Sequence, residues 1–292
     1  MALPTLITTE WLQNNLTKIQ EEDSKEFRLL DVSWSSDKNT RADYYKEHIP
    51  GSLYFDLMYG VENTPHFPRN LPSAEAFQEQ ARILGIDDDT HVIVYDNNVG
   101  GKHGFYVACR VWWMFKIFGH DKVSVLDGGL TKWKKDNHAT TADVMNVKRG
   151  NFSVKQRPEL LRSFDDIKSI ISTKKEQLGD SRPRGQYLNT SGGSYVGGYI
   201  PGSFNIPMDD LIDQESHTFK KKEELLRLLQ ESGTKLDQPL VASCNTGMTA
   251  CSLLMAAHIC GMNDLAVYMG SWTEWRSKAD PDYIIKPKTQ AD

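Results

Sequence analysis

Short apolar runs alternate with amphipathic stretches along this chain. Residues 27–32, 91–96 and 239–244 are short, mainly apolar runs of strand length, and residues 91–96 are also rich in β-branched side chains, as buried strands are. The last two runs are each followed by a strongly apolar segment that ends at a glycine, Gly119 or Gly261, as helices commonly do. Strands that alternate with helices imply right-handed crossovers and a mainly parallel sheet. The pattern therefore predicts an α/β fold.

The same landmarks occur twice. The motif Ile-Pro-Gly-Ser at residues 49–52 returns at residues 200–203, and Trp133 has a counterpart in Trp275. The offset stays close to about 150 residues, which is too long for a solenoid repeat and fits a duplicated domain. We therefore expect two similar domains in tandem.

The boundary between the copies lies in a polar stretch with no clear periodicity. Residues 139–151 carry no helix or strand pattern, whereas residues 164–176 resemble the first helix of the second copy. We predict a first domain at residues 1–140, a linker at 141–163 and a second domain at 164–288.

Composition, charge and the longest apolar stretch bear on the classes of function and on the location that are expected. The 292 residues carry a formal net charge of −5, which gives no support to nucleic-acid binding. The longest apolar stretch, residues 105–118, is interrupted by Arg110 and Lys116, so no membrane span is predicted. The beginning of the chain shows neither a secretory nor a transit peptide. We expect a cytoplasmic protein, with a mitochondrial location left open, that is a monomer or a weak homodimer.

Four cysteines are few for this length, and they form no Cys-x-x-Cys pair or zinc pattern. Reduced thiols are expected, with no metal and no organic cofactor. Cys109, Cys251 and Cys260 lie in apolar helical surroundings, as buried structural cysteines do. Cys244 differs, because it stands at the end of a predicted strand.

The turn after Cys244 is the strongest candidate for chemistry. Residues 244–249 read Cys-Asn-Thr-Gly-Met-Thr and lead into the apolar helix, at the edge where open α/β sheets bind ligands. Backbone N–H groups and the positive end of a helix dipole favour a thiolate there, and a thiolate is a nucleophile. The first copy has no cysteine at this turn. We predict that Cys244 is the nucleophile; the alternative is a buried capping residue.

Two classes of enzyme build such a loop. Cysteine phosphatases need an arginine six residues after the nucleophile to grip phosphate, and that position is Ala250 here. A shorter loop without charge suits a single terminal sulfur carried as a persulfide. A sulfur carrier is therefore favoured over a phosphatase.

Several motifs together resemble the two-domain rhodanese superfamily over nearly the whole chain. They are His-Ile-Pro-Gly at residues 48–51, Leu-Asp-Gly-Gly-Leu at 126–130, Gly-Ser-Trp at 270–272 with Trp275, and the Cys244 loop. Within that superfamily the chain is most similar to the mercaptopyruvate sulfurtransferases. The resemblance implies two rhodanese-like domains, of which only the second carries a catalytic cysteine, Cys244. It also implies a loop of Asn245, Thr246, Gly247, Met248 and Thr249 that cradles the persulfide.

Other positions depart from the family pattern. The motif Asp-Ser-Arg-x-x-Gly at residues 180–185 matches, but the next residue, an arginine that grips substrate in the family, is Gln186. The family's acidic residue after Phe-Asp is Met58 here, and its histidine before Leu-Pro is Arg69. The substrate pocket is therefore expected to be altered.

Other residues could take the place of the family's substrate arginine and histidine. Arg69, Arg182, Arg184 or Lys102 could supply the missing charge, although Arg182 also fits an ion pair with Asp180. Loop histidines His66 and His103 are candidates for the site, with a plain surface role as the alternative.

The resemblance implies a sulfurtransferase. It would move sulfane sulfur from 3-mercaptopyruvate, or thiosulfate, to a thiol such as thioredoxin or glutathione, or to cyanide. Because the loop itself carries no cation, we expect mercaptopyruvate to be favoured over the thiosulfate dianion. The competing hypothesis is a catalytically weakened binding or sulfur-carrier protein that keeps the scaffold with an altered pocket.

Overall fold

The computed structural model describes residues 3–21, 25–97, 106–190 and 197–286. The chain forms two compact units. Unit 1 comprises residues 1–62, 71–157 and 212–219, and unit 2 comprises residues 63–70, 158–211 and 220–292. Among the described residues, no helix is long and apolar enough to cross a membrane.

Unit 1 is built on a parallel sheet with the strand order β1-β5-β4-β2-β3 in its described part. Its elements, in chain order, are β1 (Leu6–Ile7), α1 (Thr9–Ile19), β2 (Phe27–Asp31), α2 (Thr40–Tyr44), β3 (Ser52–Tyr54), α3 (Ala74–Ile83), β4 (His91–Tyr95), α4 (Tyr106–Ile117), β5 (Val123–Leu126) and α5 (Gly129–Lys135).

Unit 2 repeats this topology with the strand order β6-β10-β9-β7-β8, again all parallel. The elements are β6 (Leu161–Arg162), α6 (Phe164–Thr173), β7 (Gln177–Asp180), α7 (Arg184–Tyr187), β8 (Phe204–Asn205), α8 (Lys222–Glu231), β9 (Leu240–Ser243), α9 (Ala250–Ile259), β10 (Leu265–Tyr268) and α10 (Ser271–Lys278), with 3₁₀ turns at Pro158–Leu160, Met208–Leu211 and Pro281–Tyr283. The prediction of a duplicated α/β fold is confirmed.

Local sequence signals account for the helices of unit 2 that frame its central strands. Helix α6 begins at a capping box in which Ser163 and Asp166 exchange hydrogen bonds. Helix α9 is apolar on all sides, and every residue from Ala250 to Ala257 is buried. Such a helix must be covered on every face, so α9 lies in the interior beside β9 and β10.

Equivalent tryptophans anchor the two cores. Trp133 packs with residues of β1, β2 and β4 in unit 1, and Trp275 packs with Ile167, Val241 and Tyr268 in unit 2. Each indole is fully buried, and each donates its N–H to a backbone carbonyl, that of Ala139 or Tyr283. A buried indole with a satisfied N–H contributes both apolar area and orientation to a core.

The stretch interpreted as a linker is divided between the units. Residues 141–157 belong to unit 1, and residues 158–163 belong to unit 2. Phe152 is buried, and its amide donates to the Ile86 carbonyl at 3.1 Å, so this part of the stretch packs against unit 1. Two short segments also join the unit built mainly from the other half of the chain, residues 63–70 in unit 2 and residues 212–219 in unit 1.

Candidate active site at the end of the central strand

Cys244 follows the central strand of unit 2 directly. Strand β9 pairs with β7 on one side and with β10 on the other, so the carboxyl ends of β7 and β9 lie next to each other. Ligands of open α/β sheets bind at this edge. The cysteine is 2% exposed, and the five residues after it form the turn into α9.

The backbone of Cys244 is held by the start of α10. Its N–H donates to Ser271 Oγ at 3.1 Å, and the same hydroxyl donates to the Tyr268 carbonyl at 2.7 Å. The Cys244 carbonyl in turn accepts from the Trp272 N–H at 2.9 Å. Ser271 is fully buried, and its backbone φ is 50°, a value that residues other than glycine rarely adopt. This serine was not among the predicted site residues.

The backbone amides of the loop are the next feature of this site. Within the described residues, none of the backbone N–H groups from Asn245 to Ala250 donates to a protein acceptor, whereas the next one, of Cys251, donates to the Met248 carbonyl. Buried N–H groups are almost always paired. A run of six amides without a protein acceptor in the described part of the chain is therefore available to bind an anion. Gly247, with a φ of 75°, permits the reversal of the chain in this loop.

A guanidinium lies against the loop. Arg69, in the segment 63–70 that belongs to unit 2, donates from Nη1 to Thr246 Oγ1 at 3.0 Å. Thr246 is 8% exposed. Further along the loop, the hydroxyls of Thr249 and Ser181 lie 3.0 Å apart and share a hydrogen bond. The structure thus brings Arg69 to the loop, although more than 170 positions separate it from Thr246 in the sequence.

Gln186 also contacts the loop. Its Oε1 accepts a hydrogen bond from Asn245 Nδ2 at 3.0 Å. Gln186, which departs from the family pattern described above, therefore contacts the first residue after Cys244. Both side chains are neutral amides, so this contact brings polar groups but no charge to the loop.

The other predicted cations lie elsewhere. Arg182 is 1% exposed and donates through Nε and Nη2 to both oxygens of Asp180 and through Nη2 to the Gly198 carbonyl, as expected for a structural ion pair. Its guanidinium also lies 4.5 Å from the centroid of a Trp272 ring. Arg184 is largely exposed, with Nη2 3.7 Å from Asp210. Neither arginine contacts the Cys244 loop among the hydrogen bonds of the described residues.

Of the histidine candidates, only His66 lies in the described part of the chain. His66 Nδ1 lies 3.0 Å from Ser277 Oγ, a contact with α10 and not with the Cys244 loop. Lys102 and His103 lie outside the described residues.

Comparisons with known proteins identify the scaffold. The model of the rhodanese-like domain matches twice, at residues 8–136 and 163–278. The chain belongs to the rhodanese-like family.

Similar proteins with established names include sulfurtransferases. Mouse thiosulfate sulfurtransferase is 37% identical over 95% of this chain and 93% of its own length. Human 3-mercaptopyruvate sulfurtransferase is 36% identical over 96% of this chain and 94% of its own length. The crystal structure of SseA from Escherichia coli, a 3-mercaptopyruvate sulfurtransferase, superposes with a TM-score of 0.79 at 28% identity, covering 92% of this chain and 99% of that one. The prediction of a sulfurtransferase is confirmed.

The other cysteines of this rhodanese-like chain have structural surroundings. Cys109 and Cys251 are fully buried, and Cys251 Sγ lies 3.5 Å from the Gly247 carbonyl. Burial raises the pKa of the Cys260 thiol to about 11, which leaves it protonated at neutral pH. All four cysteines lie in the described part of the chain, and none of them forms a disulfide there. No cluster of metal-binding side chains occurs among the described residues.

Proposed function

We propose that this protein transfers sulfane sulfur from a small anionic donor to a thiol or to cyanide through a persulfide on Cys244. The observation that carries the proposal is the run of six amides, from Asn245 to Ala250, that have no protein acceptor in the described part of the chain. Such a set stabilises negative charge and has little use otherwise. A cysteine thiolate at its edge supplies the nucleophile.

The chemistry balances in two half-reactions. With thiosulfate, the Cys244 thiolate attacks the outer sulfur, a new S–S bond forms, and the old S–S bond breaks to release sulfite with its electron pair. With 3-mercaptopyruvate, the C–S bond breaks, and the thiol proton ends on the carbon of the pyruvate that leaves. An acceptor thiolate such as thioredoxin or glutathione then attacks the terminal sulfur and regenerates the Cys244 thiolate. No metal or organic cofactor enters these steps.

Loop hydrogen bonds support each state of this cycle. The amide cradle accommodates the thiolate and, after loading, the terminal persulfide sulfur, both of which are anions. The Thr246 hydroxyl lies in the same loop and adds a further hydrogen-bond donor for these anions. Because these donors are fixed by the backbone, they need little reorganisation during the reaction.

Charge next to the loop bears on the choice of donor. The sequence-based preference for mercaptopyruvate depended on the absence of a cation, but Arg69 lies against Thr246. A guanidinium can pair with the charge of either donor. We therefore propose both 3-mercaptopyruvate and thiosulfate as donors.

Substitution of Cys244 tests this proposal. Purified protein is incubated with each donor, and the mass of the intact protein is measured together with pyruvate or sulfite release. We expect the wild type to gain one sulfur atom and Cys244→Ser to gain none and to lose turnover.

Cys251→Ser and Cys260→Ser are the matched controls, since their thiols are buried or protonated; both should keep the added sulfur. Wild-type turnover in Cys244→Ser would contradict the proposed nucleophile.

A second candidate function follows from one contact. Gln186 binds Asn245 and offers no positive charge, which weakens the grip on a donor carboxylate compared with an arginine. A protein of this kind could carry sulfur without rapid turnover. Stoichiometric loading of Cys244 without multiple turnovers in the presence of excess thiol would favour the carrier over the enzyme.

A further inference from the structure

The Thr246 hydroxyl is buried and only half satisfied. Its oxygen accepts a hydrogen bond from Arg69 Nη1, and no described residue accepts the hydroxyl hydrogen. The residue is 8% exposed, so bulk water is not a ready substitute. A hydroxyl carries one donor and two acceptor sites. Its donor is the part for which the described residues supply no partner.

The chemistry of Arg69 decides which way the hydrogen of the Thr246 hydroxyl points. A guanidinium has five N–H donors, has no acceptor and stays protonated in proteins. It can therefore occupy only a lone pair of the Thr246 oxygen, and the hydroxyl hydrogen must point away from Arg69. A residue able to exchange protons at neutral pH, such as histidine, would allow both directions.

We propose that Arg69 is a positioning residue that fixes the Thr246 hydroxyl as a hydrogen-bond donor to the sulfur anion carried by Cys244. This inference rests on the proposed function. Together with the six loop amides, the hydroxyl makes a site of donors only. The Arg69 charge also strengthens that donor, because polarised hydrogen bonds reinforce each other in a poorly solvated site.

The substrate class follows from the same arrangement. Neither a guanidinium nor a hydroxyl held in this way takes up a proton near neutral pH. The pair therefore assists sulfur donors that react as anions and expel an anionic leaving group, and it does not abstract a proton from the donor. The pH profile of the sulfur-loading rate should then show no step that is due to Arg69 or Thr246.

A double-mutant cycle tests the coupling. Arg69→Met, Thr246→Val and the double variant are compared by kcat and KM with thiosulfate and with 3-mercaptopyruvate. Each single variant should lower kcat by about tenfold to a hundredfold, the range for a lost charged hydrogen bond. The double variant should be no slower than the slower single variant, because both changes remove the same interaction. Arg227→Met, the same change on an exposed arginine of α8, should have no effect.

A titratable replacement provides the readout that a purely structural role would not change. In Arg69→His, the rate of loading should fall as the pH rises through the imidazole pKa of about 6.5, because the charge that orients Thr246 is lost there. The wild type should show no decline at this pH.

The possible results are distinguishable. Additive losses in the cycle, or equal pH profiles for wild type and Arg69→His, would overturn the role of Arg69 while sulfur on Cys244 still supports the proposed function. If the wild type acquires no sulfur on Cys244 from either donor, the proposed function fails first and the inference fails with it.

Discussion

At the scale of single residues, the Cys244 loop has two differently charged sides. On one side, Asn245 donates to Gln186, and both groups are neutral amides. On the other side, Arg69 brings a full positive charge to Thr246. An arginine at position 186 would place a positive charge beside Asn245, where this chain has a neutral amide.

Gln186→Arg tests which side holds the donor carboxylate. An arginine there should lower KM for 3-mercaptopyruvate by about fivefold to thirtyfold, since a charged hydrogen bond exceeds a neutral one by roughly 1–2 kcal/mol. The value of kcat should change little. Gln186→Met is the control, because it removes the contact with Asn245 without adding charge.

Steady-state kinetics with the wild type, Gln186→Arg and Gln186→Met separate the possibilities. An unchanged KM in Gln186→Arg would place the carboxylate on the Arg69 side.

At the scale of elements, the turn from β9 into α9 depends on one glycine. Gly247 has a φ of 75°, and a Cβ there would lie 3.1 Å from the sulfur, the methyl carbon and the carbonyl oxygen of Met269. A side chain would therefore strain the backbone and displace Met269, which lies between β10 and α10. Because α10 holds the Cys244 amide through Ser271, a change at this position affects the whole cradle.

Gly247→Ala should lower both stability and activity. The left-handed conformation costs a non-glycine residue roughly 1–2 kcal/mol, and the contact with Met269 adds to this cost. Thermal unfolding and kcat/KM are measured side by side. Gly233→Ala is the matched control, because Gly233 has a φ of 84° and open space around it.

The control should lose about as much stability from backbone strain and keep its activity. A Gly247→Ala variant with normal turnover would show that the shape of the loop is not needed for the reaction.

At the scale of the whole molecule, distant parts of the chain complete each unit. Segment 63–70 brings Arg69 to unit 2, and segment 212–219 belongs to unit 1. In unit 1, Asp127 Oδ1 accepts the Phe219 N–H at 2.9 Å, and Lys135 Nζ donates to the Glu215 carbonyl at 2.7 Å. Burial raises the pKa of Asp127 to about 7, against the opposing effects of the Phe219 amide and Lys132.

This carboxyl should make stability depend on pH. The pKa in the folded state is above the ordinary value of about 3.9, so the folded state binds the proton more tightly, and stability falls as the pH rises from about 4 to about 7. Asp127→Asn keeps the oxygen that accepts from Phe219 and removes the ionisation. Between pH 5 and pH 8, the free energy of unfolding of this variant should therefore gain roughly 2–3 kcal/mol relative to the wild type.

Asp121→Asn is the control with the opposite shift. The Arg157 guanidinium lowers the pKa of Asp121 to about 2, so its contribution is constant between pH 5 and pH 8. Denaturant unfolding at several pH values measures both variants. A constant difference between Asp127→Asn and the wild type would contradict the raised pKa.

Several features of this protein were predictable from local sequence alone. The apolar runs predicted strands β4 and β9, because buried parallel strands carry continuous apolar side chains. The repeated landmarks predicted the duplication, since equal sequence patterns give equal folds. Cys244 was recognisable as a candidate because a strand followed by a short glycine turn and a helix is a local pattern.

Contacts between distant positions were decided only by the tertiary structure. Four cations were candidates from sequence, and the fold brought Arg69 to the loop while it committed Arg182 to Asp180. Ser271 holds Cys244 from 27 positions away, and Gln186 binds Asn245 across 59. Sequence spacing carries no information on such contacts, because packing and not chain proximity sets which side chains meet. Local residues therefore determined the nucleophile and its loop as candidates, and long-range packing determined the groups that surround them.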